Sequence, residues 1–340
     1  MVPTEATRFL ETTGTLALLR SNATTASWIG RLEQIDPPPG LVTIPEGDEF
    51  LIAMSDLGIE PDDMDALQAL RGEVVANPDL MWLLEKCVQT LRLHIDMVDA
   101  PPPFPALPRE LGEIGRYFYA YVLMAMLPHT KRFFRSRRIS HEVASATLAD
   151  VGRHFEIHRA QHGAGGMSGQ DWLTLHMRGM IFQLGRLQFE RGRLGNRTSQ
   201  AIQAAGFPYQ KGDPVLVAHI PGFSGPFPPD ACDESFQQAR EFFTRHFPEE
   251  TYRIAVCYSW LLDDQLADYL PQSSNILQFQ RRFRRAYRPD ANSRITLDFV
   301  FRTPDRPLDE LPQGTTLERA VVRHIRDGKH WHGGTGWLEL

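Results

Sequence analysis

Proline divides this chain. Pro37, Pro38 and Pro39 form one run, Pro101, Pro102, Pro103, Pro105 and Pro108 a second cluster, and Pro226, Pro228 and Pro229 a third. Proline donates no backbone hydrogen bond and disfavours helix in the residue before it, so each cluster is a loop. The 340 residues between and around these seams suggest about two domains. Their 42% apolar and 23% charged content is that of a folded chain. The net charge of −6 argues against a general nucleic-acid coat protein. Cys87, Cys232 and Cys257 are too few and too scattered for a disulfide framework or a cysteine zinc site. A reducing cytoplasm is the expected setting. Residues 1–20 carry Glu5 and Glu11 and no clean apolar stretch, so they do not read as a signal peptide. The longest apolar run, Tyr117–Leu127, is too short to cross ~30 Å of hydrocarbon as a helix, so no membrane span is expected.

Residues 1–160 read as mainly helical. Pro61 followed by Asp62, Asp63 and Asp65 looks like a helix opening, with proline in the first turn and acid at the positive end of the dipole. Leu80, Leu83, Leu84, Cys87, Leu91 and Ile95 form a helical apolar stripe over Pro78–Val98, and Gly112–Leu127 is a further apolar helix. The texture changes after Trp172. Leu173–Phe189 reads as two strands meeting near Gly179 or Gly185. Strands are then expected at Val215–Ile220, Tyr252–Leu262, Ile295–Phe301 and around Gly336. Helices are expected at Asp233–Phe247, Ser274–Tyr287 and Thr316–Asp327, the last closed by Gly328. The overall expectation is an α+β protein: a mainly helical domain over residues 1–165, then a mixed sheet flanked by helices over 166–340.

Several motifs invite a chemical reading. His154, His158 and His162 recur at spacing four, as zinc ligands on one helix face do, but Glu156 is out of place for H-E-x-x-H. A polar helix edge is the plainer reading, and no metal is expected. Gly222-Phe-Ser224-Gly225 lacks the second glycine and the immediate helix of a nucleophile elbow. Neither a P-loop nor a G-x-G-x-x-G turn is present. Arginines cluster at 281, 282, 284, 285 and 288, where they suit the phosphates of a phosphopantetheine carrier or simply form a solvated face. His219 ends a strand, where α/β sites gather, and an imidazole titrating near ~6.5 suits proton abstraction. A structural histidine is the competing reading. Ser274 and Asn275 precede an apolar helix, as caps do, and a helix N-terminus also receives anions.

Read in order, a set of phrases points further. They are Gly166, Trp172-Leu173, Arg178-Gly179, Phe182 and Gly185-Arg186-Leu187-Gln188-Phe189, then His219-Ile-Pro221, Ser235 to Phe247-Pro248, Ser259-Trp-Leu-Leu-Asp263, Leu270-Pro271, Ser274-Asn275-Ile276 and Thr316-Leu317-x-Arg319-Ala320. The set resembles the bacterial acyltransferase-domain proteins that join an N-acyltransferase N-terminal domain to a GNAT-like C-terminal domain, over roughly residues 45–340. The resemblance implies a GNAT-type N-acyltransferase, in which an amine attacks an acyl thioester directly. It also implies two neighbouring strands, Val215–Ile220 and Tyr252–Leu262, that splay to admit a pantetheine arm. His219 is then the candidate base and Ser259 the candidate donor or acid. Arg281, Arg282, Ser274 and Asn275 are candidates for holding the donor, with Cys257 as a lower-ranked acyl carrier. Arg178, Arg186 and Trp260 are candidates for the acceptor. No cofactor is expected to be bound permanently. The donor is coenzyme A or an acyl-carrier protein, the acceptor a small-molecule or peptide amine, and no nucleic acid is involved. The alternative is a GNAT-like acyl-CoA-binding or regulatory protein without turnover. One departure stands out: Pro221–Ser235 lacks the family's glycine-rich pyrophosphate turn.

Overall fold

The computed structural model describes residues 14–36, 42–222, 224–302 and 306–340, so the Pro37–Pro39 loop lies outside the described residues. Two compact units divide the chain at Met180 and Ile181.

The first unit is helical: α1 (Thr15–Ser21), α2 (Ala26–Glu33), α3 (Gly47–Asp56), α4 (Pro61–Ala76), α5 (Pro78–Leu93), α6 (Gly112–Ser136), α7 (His141–Leu148), α8 (Asp150–His162) and α9 (Gln170–Met177). Pro61 and Pro78 open α4 and α5, and Asn77 caps α5 by accepting from the Asp79 and Leu80 amides. Tyr117–Leu127 is buried on every side of α6, as an all-apolar helix must be. Two of its three tyrosines reach α4, Tyr117 bonding Asp63 at 2.6 Å and Tyr121 the Leu67 carbonyl at 2.7 Å. No described helix is long and apolar enough to cross a membrane.

The unit boundary and the strand expected from Leu173 both need correction. Gln170–Met177 is the helix α9, and Thr130 Oγ1 on α6 donates to the Met177 carbonyl at 2.7 Å. Buried Arg178 donates to the Met97 and Asp99 carbonyls. These bonds keep residues 166–180 with the first unit, so the division falls fifteen residues later than 165/166. The alternation Leu-Thr-Leu-His mimics a strand over four residues, but Leu173, Thr174, His176 and Met177 are buried together at helical spacing.

The second unit holds β1 (Ile181–Leu184), β2 (Leu187–Arg193), α10 (Asn196–Ala204), β3 (Pro214–His219), α11 (Pro229–His246), β4 (Ile254–Ser259), α12 (Asn275–Gln280), β5 (Arg284–Tyr287), α13 (Ser293–Phe301), α14 (Thr316–Arg326) and β6 (Gly334–Glu339). The six strands run in the order β1-β2-β3-β4-β6-β5. Only β3 and β4 pair in parallel, joined by the crossover through α11; all other pairs are antiparallel. Gly185 takes φ 62° in the β1–β2 turn, where a side chain would be strained. One sheet face is covered by α11, whose Phe242 and Phe236 meet Phe182 and Phe189 at ring distances of 4.8 and 5.3 Å. The other face packs Val215, Ile254, Val256 and Trp337 with Ile202 of α10.

Two further expectations give way here. Ser274–Tyr287 is not one helix: α12 ends at Gln280 and the chain returns as β5 against β6. Ile295–Phe301 is helical rather than extended. Asn292 caps it by accepting from the Ile295 amide, and Thr296 and Phe301 are buried on a helical face beside partly buried Leu297 and Val300. Packing against α14 overrides the β-branched composition of that segment.

Candidate active site

The two parallel strands part. Leu216 pairs with Ala255 and Val217 with Val256, and there the ladder ends. Both strands continue, β3 through His219 and β4 through Ser259. Each keeps its outer partner over that length, β3 with β2 as far as His219–Gln188 and β4 with β6 as far as Ser259–Gly334. A gap therefore opens between the carboxyl ends of two otherwise well-held strands. Backbone groups on its walls have no cross-strand partner there and must find another.

His219 sits on one wall. Its Nε2 lies 2.8 Å from Glu190 Oε2 on β2, and both side chains are 25% exposed. The register explains the meeting. Glu190 pairs with Val217 and Gln188 with His219, so Glu190 and His219 are diagonal neighbours on one face. A carboxylate on Nε2 selects the tautomer whose lone pair is on Nδ1 and stabilises the ring once it is protonated.

The same register decides what shares this face. Val217 faces with Val256, so Tyr258 lies on the histidine side and Ser259 on the other. Tyr258 is 46% exposed, and its hydroxyl is 3.3 Å from Thr198 Oγ1 on α10. Burial raises its phenol above the ordinary value, against the hydrogen bond with Thr198, which lowers it. The phenol is therefore protonated at neutral pH and can give a proton. The structure does not bring Ser259 and His219 onto one face. Ser259 Oγ instead accepts from the Leu261 amide at 3.1 Å and caps the short 3-10 turn Trp260–Leu262.

The remaining candidates scatter. Cys257 is fully buried on the face opposite His219, and burial pushes its thiol up to about 12, so it holds little thiolate for acyl transfer. Ser274 caps α12 by accepting from the Leu277 amide, and Asn275 is the first residue of that helix. Arg281 bonds the Gln272 side chain. Arg282 reaches the loop after β3, donating to the Pro229 carbonyl at 2.8 Å and pairing with Asp233. Arg186 braces the same loop through the Gly225 and Pro226 carbonyls at 2.7 and 3.0 Å. Trp260 packs against the apolar cluster around Leu266 and Trp331. Arg178 is committed within the first unit. His154 and His158 both turn their Nδ1 atoms to Ser168, at 2.9 and 3.0 Å, and no metal-holding group of three or more His, Cys, Asp or Glu occurs among the described residues.

Glu190 and Tyr258 were not singled out from the sequence. Both sit in period-two strands, so their faces were readable within each strand. Their company with His219 depends on register between strands, which periodicity does not reveal.

A parted parallel pair in a mixed sheet, with an acid–base group at its open end, is the arrangement of a GNAT-like acyltransferase. The comparisons agree. The N-acyltransferase N-terminal domain matches residues 50–179 and the GNAT-like C-terminal domain residues 181–338. An acyltransferase mutant solved with octanoyl-CoA is 38% identical over 95% of this chain and 97% of its own, with a TM-score of 0.86. An acyltransferase solved with decanoyl-CoA and teicoplanin is 38% identical over 96% and 98%, with a TM-score of 0.85. A third, with decanoyl-CoA, is 37% identical over 99% and 100%, also at 0.85. No curated protein sequence matches the chain. The chain belongs to the acyltransferases that combine these two domains, and it is an enzyme of that class.

Proposed function

We propose that this protein is an N-acyltransferase that moves an acyl group from coenzyme A to an amine, with the reaction centred on the open end of the β3–β4 gap. The observation that carries the reading is the ladder that stops after Val217–Val256 while both strands run on, one of them ending at the His219–Glu190 pair. A pantetheine arm is a narrow, amide-bearing chain that fits such a gap and satisfies strand-edge groups. Coenzyme A is favoured over a carrier protein as donor because the similar acyltransferases were solved with octanoyl-CoA and decanoyl-CoA.

The chemistry then follows from the side chains. The amine lone pair attacks the thioester carbonyl, forming C–N, and the carbonyl electrons collapse back to break C–S. His219 takes the amine proton at Nδ1 while Glu190 stabilises the imidazolium. Tyr258 gives its proton to the departing thiolate and regains one from solvent. Strand-edge amides beyond Val256 are placed to meet the oxyanion. The cytoplasm, where acyl-CoA is made, is the matching compartment, and the three unpaired cysteines fit it.

The test is thiol release from decanoyl-CoA, followed with a thiol reagent, against a panel of amines that includes teicoplanin, the compound held by one similar acyltransferase. Acceptor-dependent thiol release is expected. His219→Ala should lose ~100-fold or more in kcat with its melting temperature intact. Amine-independent release, or none with any acceptor, would overturn the reading.

A further inference from the structure

The loop that follows β3 is poorly built to hold phosphate by itself. The helix after it, α11, has Pro228 as its cap and Pro229 as its first residue, so two backbone donors are missing from its start. Asp230 in the first turn adds negative charge where an anion would approach. The two arginines touching this loop, Arg186 and Arg282, already spend donors on its carbonyls. Arg282 also pairs with Asp233. A coenzyme A donor brings a diphosphate and a 3′-phosphate, more negative charge than these two partly committed guanidiniums offset.

A different arginine closes on the loop from across the mouth. Arg302 is the C-terminal cap of α13, in the left-handed region at φ 58° and ψ 3°. Glycine is the unstrained choice for that conformation, so a side chain there is held against some strain. Arg302 Nη2 reaches to 3.1 Å from where a Cβ on Gly222 would stand, three residues beyond His219. The guanidinium is partly buried, and that burial holds it below its ordinary pKa. No carboxylate or hydrogen-bond acceptor meets its side chain among the described residues. A partly desolvated cation that meets no counter-charge among the described residues is costly alone and favourable once an anion arrives. Charge at a helix C-terminus accounts for a cation near α13, but not for its reach to the Gly222 turn.

We propose that Arg302 holds a phosphate of the coenzyme A donor at the mouth of the β3–β4 gap, in place of the glycine-rich turn that this loop lacks. The proposal rests on the acyl-CoA reading above and adds the residue and the helix that carry the charge.

The test compares decanoyl-CoA, its 3′-dephospho form and decanoyl-pantetheine, which has no phosphate, as donors for wild type, Arg302→Gln and Arg302→Lys. For decanoyl-CoA, Arg302→Gln should raise KM about tenfold and Arg302→Lys by less. With decanoyl-pantetheine the variants should match wild type within about twofold. Loss of the effect with the dephospho donor assigns the contact to the 3′-phosphate, and persistence assigns it to the diphosphate. Melting curves confirm that each variant is folded. An equal loss on all donors, or none on decanoyl-CoA, would overturn the role of Arg302 and leave the acyl-CoA reading standing. Failure of wild type to use any of the three would overturn that reading itself, and this proposal with it.

Discussion

Glu190 and His219 stand 2.8 Å apart on adjacent strands, and much of the proposed chemistry depends on that contact. Glu190→Gln keeps the shape but removes the charge that stabilises the imidazolium. A kcat loss of ~10-fold or more is expected, with little change in KM for either substrate. Tyr258 makes a separate prediction. An alkyl thiol ionises near pH ~8.5, so a leaving thiolate needs an acid mainly below that pH. Burial raises the Tyr258 phenol above its usual range, which keeps it protonated throughout. Tyr258→Phe should therefore slow turnover at pH 7 and lose less as the pH rises towards 9; a pH-independent deficit would contradict the acid role. Cys257→Ala should retain transfer, because a buried thiol titrating at about 12 is a poor nucleophile at neutral pH. A trapped acyl-Cys257 adduct in mass spectrometry would contradict direct attack. The place of His219 at a strand end was legible in the sequence. Its partner was not, because one residue of slip between β2 and β3 would have turned Glu190 to the other face.

At the scale of elements, the long or well-capped helices were the readable ones. Pro61, Pro78 and Gly328 punctuate α4, α5 and α14 where their backbone chemistry requires. β3 and β4 were also legible, because short apolar runs bounded by turns leave few options. Segments 173–189, 274–287 and 295–301 were harder. Each carries apolar residues compatible with two periods, and tertiary packing made the choice. The helix α8 carries its own prediction. Burial, reinforced by the nearby His162 and Arg116, pushes His158 down from 6.5 to about 4. The folded state thus binds fewer protons than the unfolded chain between those values. Stability from this site is complete above about pH 6.5 and is lost as the pH falls towards 4. Melting temperatures measured from pH 7 to 4.5 should fall less steeply in His158→Gln than in wild type. Parallel curves would place the acid sensitivity elsewhere.

For the whole molecule, the division of labour follows the two units. The first is a helical body around a 25-residue helix, α6. The second is a six-stranded sheet flanked by helices, with the gap and the His219–Glu190 pair on its strands and Arg302 at the end of α13. Length points to two domains, and the change from helical to alternating texture marks the change of architecture. The compact units divide later than the texture change suggests, because α9 lies just before the sheet and carries an alternating apolar phrase. The most direct measurement is amide hydrogen exchange with and without coenzyme A at saturating concentration. The account predicts slower exchange in Ala218–His219 and Cys257–Ser259, the stretches of β3 and β4 that have parted, with their outer ladders unchanged. Protection confined to other parts of the chain, with these two stretches unaffected, would contradict it.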